Sequence, residues 1–178
     1  TAIYKYSPMK RSYLAVLLGL LAIGVVGWLG FRTVSRLNAS KETTERRKRL
    51  PEFTVQPLDT STKRMHPTGN RPVVLVYFNP DCEHCHYQAE QLSRHPALLK
   101  NAQVWLLSTE PLPRLQTFAK RYRLDTLPRV NVAHIEARVA FDSLGFRMVP
   151  HLLVYGVDGH LKKEFKGETR WETVEKAL

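Results

Sequence analysis

Two cysteines in 178 residues are too few for a fold held by disulfide staples, so any stability must come from a buried apolar core. Acidic residues are also scarce, with 16 Asp and Glu against 27 Lys and Arg and a formal net charge of +11. The imbalance is local. Residues 1–50 carry ten Lys or Arg against two Glu, a net +8, whereas the other 128 carry seventeen against fourteen, a net +3. A domain so nearly balanced, without a basic stripe, lacks the footprint of a nucleic-acid binder, and no nucleic acid is expected as partner. The absence of internal repeats and low-complexity tracts excludes solenoids and disordered arrays.

Charge is missing altogether from Tyr13 to Phe31, "YLAVLLGLLAIGVVGWLGF". As a helix these residues span about 28 Å, close to the thickness of a bilayer's hydrocarbon core. Lys10 and Arg11 precede the run, Arg32 and Arg36 follow it, and Tyr13 and Trp28 lie near its ends, where amphipathic rings prefer the headgroup level. The run is long for a signal peptide, and Gly30-Phe31-Arg32 has no small-x-small cleavage pattern, so an uncleaved anchor is expected. Met9-Lys10-Arg11 looks like a start, which places the residues before it outside the natural product.

The expected organisation is a tail (1–12), a transmembrane helix (13–31), a basic juxtamembrane linker (32–50) and one domain (51–178). Basic residues flank the span on both sides and are more numerous after it, which by charge alone leaves the domain in the cytoplasm. The extracytoplasmic side is favoured nonetheless, because long domains translocate despite nearby charge and an anchored thiol pair is of use at an oxidising face. Residues 35–50 read as a partly helical connector with Glu42–Arg46 and Glu45–Arg49 at helical spacing.

Within the domain, "EFTVQPL" reads as a short edge strand stopped by Pro57, and "STKRMHPTGNRP" as a loop. The run "VVLVYF" (73–78) has the composition of a strand buried on both faces. A helix is predicted from Cys82 to about Arg94, with Cys85, Ala89 and Leu92 on one stripe, and a second buried strand at 103–109. Strand, helix, strand is the βαβ pattern. Pro113 opens a helix through Arg123, "RVNVAHI" is a weaker strand, and residues 137–144 form a short helix closed by Gly145. "HLLVYG" and "HLKKEFKG" flank Val157-Asp158-Gly159 as a hairpin. Thr169-Arg170-Trp171-Glu172 reads as a capping box for a last helix.

Both cysteines fall in "NPDCEHCHYQ" (79–88), directly after the buried strand and at the start of the helix. Two intervening residues let the sulfurs of Cys82 and Cys85 meet within one helical turn, and the helix N-terminus favours a thiolate at the first. Cys82 is thus the expected nucleophile and Cys85 the more buried resolving thiol. The same residues also satisfy Cys-x-x-Cys-His, the c-type haem attachment pattern with His86 as axial ligand. Zinc held by Cys82, Cys85 and a histidine is a third use, although no second Cys/His cluster completes four ligands. A redoxin-fold binding domain without catalysis is a fourth. Buried strands on both sides of the motif favour the redox pair.

"YFNPDCEHC", with the downstream "GFRMVPHLLVYGVDGHL", resembles the thioredoxin-like superfamily, in particular its membrane-anchored TlpA-type redoxins, over residues 51–178. The resemblance implies an α/β fold, a mixed sheet flanked by helices, and thiol–disulfide exchange with protein thiols or disulfides and a redox partner protein, without a cofactor or metal. It further implies that Pro150 is cis and sits against the cysteine pair, and that the backbone of Val149 pairs with an extended substrate. His84, before the second cysteine, is similar to the more oxidising family members, and its charge would be opposed by Asp81 and Glu83, so His84 and Glu83 tune the couple. The chain departs from the family at two acid positions. Val76 stands six residues before Cys82, and Gln88 three after Cys85, which leaves Glu90 or water to take the proton. His66, His95, His134 and His160 read as surface or loop residues, His151 as a first strand residue, and Tyr77 and Phe78 as core or rim.

Overall fold

The computed structural model describes residues 9–65 and 70–178; most of the expected tail (residues 1–8) and His66 lie outside the described residues. The chain divides into two compact units, Thr1–Glu42 and Thr43–Leu178. The described part of the first belongs to helix α1 (Met9–Arg46). Within α1, Tyr13–Ser35 is the one stretch among the described residues long and apolar enough to cross a membrane, 23 residues or about 35 Å. Leu17, Leu21, Ile23, Val26 and Phe31 are all exposed along it. A helix apolar on every side has no soluble face, so it needs an apolar surrounding. Beyond the run, α1 continues through "SKETTER", which holds no Gly or Pro to stop it.

The second unit is a seven-stranded mixed sheet with the strand order β2-β1-β5-β4-β3-β6-β7. Its strands are β1 (Phe53–Pro57), β2 (Lys63–Met65), β3 (Val73–Tyr77), β4 (Gln103–Ser108), β5 (Val130–His134), β6 (His151–Tyr155) and β7 (Leu161–Lys166). The helices are α2 (Glu83–Leu92), α3 (Pro96–Asn101), α4 (Leu112–Arg121) and α5 (Trp171–Glu175). Strand β4 runs parallel to β3 and β5, as the βαβ pattern requires, while β6 pairs antiparallel with both β3 and β7. This is the expected α/β architecture.

Strand alternation splits the core into two layers. Val74, Val76, Val104, Leu106, Leu152 and Val154 face one side, where Cys85, Ala89 and Leu92 of α2, Leu115 and Phe118 of α4 and Trp171 of α5 cover them. Val73, Leu75, Tyr77, Trp105, Leu107, Leu153 and Tyr155 face the other, beneath Leu50, Leu144 and Phe146. The run "VVLVYF" lacks polar alternation because both of its faces are covered. Tyr77 and Phe78 are both core: the Tyr77 ring stacks on Phe146 with centroids 4.9 Å apart, and Phe78 packs on Phe118.

Three expectations need correction. Strand β1 is not at the edge, because Lys63–Met65, in the predicted loop, pairs with it as β2. Three mostly exposed residues carry no apolar pattern to announce such a strand. The Glu45–Arg49 pair does not form: α1 ends at Arg46, Glu45 meets Lys48 at 2.7 Å, and Arg49 bridges to His160 in the β6–β7 turn. The capping box is also absent. The Thr169 N–H donates to Gln88 Oε1 and its hydroxyl to the Gly167 carbonyl, so Arg170 begins α5 without a side-chain cap. The short helix before Gly145 forms as expected, helical over residues 137–143 with a π-type turn at Val139–Ser143, and Gly145 closes it at φ +71°.

Leu153, fully buried at the centre of β6, is a sensitive point of this arrangement. Leu153→Ala should cost about 2–5 kcal/mol, read as a lower urea midpoint with an unchanged slope.

Candidate active site

Strand β3 delivers the chain into a tight turn. Asn79 accepts the Asp81 N–H on its side-chain oxygen at 2.8 Å and the Cys82 N–H on its carbonyl at 3.1 Å. Cys82 follows with extended backbone, φ −86° and ψ 119°, as the residue that caps α2. Its carbonyl takes the N–H groups of Cys85 and His86 at 2.9 and 3.0 Å, so the first turn of the helix closes on the first cysteine.

The two cysteines are free thiols that influence one another. They are not equivalent. Cys82 is half-buried, whereas Cys85 is 2% exposed among Ala89, Leu92 and the sheet. Burial pushes the Cys85 thiol up to about 12, and its contact with Cys82 adds to the rise, against a lowering backbone hydrogen bond at Asn79. Across from the pair, the Val149–Pro150 peptide bond is cis, and the Val149 carbonyl lies 3.9 Å from Cys82 Sγ. Among the described residues the Val149 N–H has no hydrogen-bond partner, and neighbouring Arg147 and Met148 are exposed.

The charges around Cys82 are largely compensated by neighbours that the sequence reading missed. Asp81 is held by Arg114 of α4, whose guanidinium also binds Glu110 and keeps the Asp81 carboxyl below its usual range. Glu110 in turn accepts from Asn79 Nδ2 at 3.3 Å, tying this cluster to the turn. His84 Nδ1 is 2.8 Å from Glu168, so a carboxylate faces the imidazole expected to tune the pair. Glu83 is exposed at the start of α2. Nothing in the spacing of the sequence brings Arg114 or Glu168 to the motif; only the fold does.

Gln88 has a structural use. It is buried, its side-chain oxygen takes the Thr169 N–H at 3.0 Å and its backbone carbonyl takes Trp171 Nε1 at 2.9 Å. An amide at this place fastens α2 to α5 but offers no proton acceptor of carboxylate strength. Val76 is fully core, and Glu90 pairs with Arg94 at the surface.

The haem and zinc readings find little here. The His86 ring packs between Phe118 and Tyr122, with Nδ1 2.6 Å from the Tyr122 hydroxyl, and the Cys85 sulfur is sealed in the core, away from any thioether partner. Among the described residues no three His, Cys, Asp or Glu side chains gather in a way that could hold a metal. His95 lies 3.7 Å from Glu172, and His160 is exposed in the β6–β7 turn. His134 is a strand residue, not a loop residue, and its Nδ1–H donates to the Glu110 carbonyl. His151 does begin β6, and it is wholly buried beside Glu164.

Two measurements probe this geometry. Iodoacetamide on the reduced native protein at neutral pH should modify Cys82 and spare Cys85, as read by peptide mass. Burial holds the His151 imidazole below its ordinary 6.5, only partly offset by Glu164. The unfolded chain therefore binds more protons just below pH 6.5, and the stability this group contributes is present above that pH and lost as pH falls through it. Glu164, kept below 4.5 by Arg47 and His151 despite burial, adds a second loss at lower pH. Urea midpoints between pH 7.5 and 5 should decline in the wild type and decline less in His151→Gln.

No protein-family model matches the chain, and no curated protein matches it significantly. Solved structures do resemble it. A secreted Mycobacterium tuberculosis disulfide oxidoreductase homologous to Escherichia coli DsbE superposes with a TM-score of 0.60 at 18% identity, covering 75% of this chain and 96% of the other. The thioredoxin domain of a thiol–disulfide oxidoreductase from Bacteroides vulgatus gives 0.58 at 16% identity, covering 73% and 95%. A peroxiredoxin-like protein from Aquifex aeolicus gives 0.60 at 14%, covering 73% and 84%. At such identities the likeness is one of fold, and the fold alone does not choose among reactions. The chain shares the thioredoxin-like fold of these proteins.

Proposed function

We propose that the chain is a membrane-anchored thiol–disulfide oxidoreductase that exchanges disulfides with protein partners through Cys82 and Cys85. The observation that carries this reading is the unequal pair itself: two free thiols one helical turn apart, one half-buried at the mouth of α2, the other sealed in the core with its proton held to about 12. A thiol reachable from outside can attack. A buried one resolves the product before other thiols reach it.

In the reducing direction the Cys82 thiolate attacks one sulfur of a partner disulfide. That S–S bond breaks, a Cys82–partner disulfide forms, and the leaving thiolate takes a proton. The Cys85 thiol then loses its proton and attacks Cys82 Sγ, which closes the Cys82–Cys85 disulfide and releases the second partner thiol. Two electrons and two protons leave the pair; the oxidising direction is the reverse. Either way a second redox protein must restore the starting state. Gln88 cannot take the Cys85 proton, so water does. His84, facing Glu168, and Glu83 tune the couple, and the free Val149 N–H beside cis Pro150 receives the extended partner segment.

The anchor is the apolar stretch of α1, and the domain works on the extracytoplasmic side. Its exposed aliphatic surface supports the first statement, and the secreted state of the Mycobacterium tuberculosis relative agrees with the second.

Cys82→Ser should reduce exchange with a protein disulfide to the uncatalysed rate, whereas Cys85→Ser should accumulate mixed disulfides visible on non-reducing gels. Unimpaired exchange in Cys82→Ser would sink the reading.

A further inference from the structure

We propose that Arg47, Glu164 and His151 are positioning residues that brace the Val149–Pro150 segment, so that the stretch ahead of β1 shapes the place where a partner strand pairs; this rests on the exchange function proposed above. Arg47 is only 11% exposed at its side chain and binds both oxygens of Glu164, at 2.8 and 3.1 Å. Glu164 Oε1 also lies 2.8 Å from Nε2 of His151, which is 0% exposed and directly follows Pro150. A carboxylate held by arginine only accepts, so Nε2 carries the hydrogen and Nδ1 is bare. Lys166, 3.7 Å from Glu164, is the other cation at this carboxylate.

The group is costly to bury. Nδ1 of His151 and Nε of Arg47 are both buried without a partner. A buried ion pair with loose ends adds little net stability over apolar packing; it serves better to fix geometry. The geometry fixed here is that of the loop between Gly145 and His151. At its far end, the edge of the His151 ring region is closed by Phe146, centroids 5.2 Å apart and nearly perpendicular. At its near end, a Cβ on Gly145 would come within 3.1 Å of Thr43 Cγ2 and 3.4 Å of Arg47 Nη1. Both ends of the loop thus rest on the same short stretch of chain.

That stretch is itself pinned. The Leu161 N–H donates to the Lys48 carbonyl and the Leu50 N–H to the Gly159 carbonyl, each at 2.8 Å, and the Tyr155 hydroxyl donates to the Arg47 carbonyl at 3.1 Å. Between the two fastened ends, Arg147 and Met148 are exposed and Val149 faces Cys82. A pairing segment ordered in advance spares an incoming strand the entropy of ordering it. A small disulfide, which needs the cysteine pair but has no strand to pair, gains nothing from that order.

The test uses the full chain in detergent micelles, with wild type, Arg47→Met, Arg47→Lys and Glu164→Gln. Exchange is followed with insulin as protein disulfide and with oxidised glutathione as small disulfide, alongside hydrogen exchange of the Phe146 and Gly167 amides, which donate to the Ala140 and Pro150 carbonyls. For Arg47→Met we expect kcat/KM toward insulin to fall about tenfold, mostly through KM, with oxidised glutathione slowed no more than about twofold and the Phe146 and Gly167 amides exchanging about tenfold faster. Arg47→Lys should fall between, because an ammonium cannot make the two-point contact. Glu164→Gln keeps the shape and loses the charge, and decides the matter alone if Arg47→Met does not fold. Insulin kinetics and amide protection at wild-type levels in the variants would overturn the proposal, as would equal slowing of both disulfides. A wild type inert toward both disulfides would instead remove the exchange function, and this proposal with it.

Discussion

The cysteine end of the domain depends on one strand register, Tyr77 opposite His151 in the antiparallel pairing of β3 with β6. Tyr77 is the last residue of β3 and His151 the first of β6, so the chain leaving one strand and the chain entering the other emerge side by side. The first carries Cys82 five residues on; the second carries Val149 and Pro150 just before. A slip of β6 by one residue would turn Leu153 into the layer of α2 and displace Val149 from the cysteine turn. The register is secure because both faces of both strands are buried, and each layer admits only its own set of side chains.

From that register the asymmetry of the thiols follows. The stripe Cys85, Ala89, Leu92 that seats α2 on the sheet is the stripe that buries the second cysteine, while the turn that caps the helix leaves the first in reach of solvent. Core packing and thiol chemistry are therefore one arrangement. The charges nearby stand on this scaffold in pairs, Asp81 with Arg114 and His84 with Glu168.

Much of this was legible in the sequence because it rests on short-range rules: unbroken apolar runs mark strands covered twice, Cys-x-x-Cys after such a strand marks a helix start, and the stripe of α2 follows its period. What escaped legibility depends on partners far along the chain. Strand β2 has no apolar pattern, since backbone pairing alone creates it. Thr169 matched a local capping rule and was claimed by Gln88, 81 positions earlier in the chain. Arg114, Glu168 and Glu164 look like ordinary surface charges until the sheet order brings them to the motif or beneath it. His151 read as a plain strand residue because burial next to a carboxylate leaves no trace in spacing.

The pairing of Lys48–Leu50 with Gly159–Leu161 also bears on how this molecule can be dissected. A soluble fragment trimmed at Pro51, just ahead of the first sheet residue, would discard Leu50 from the core and the guanidinium from Glu164, leaving that carboxylate to His151 and Lys166 alone. A protease site placed ahead of Thr43 removes the greasy helix and keeps the domain whole.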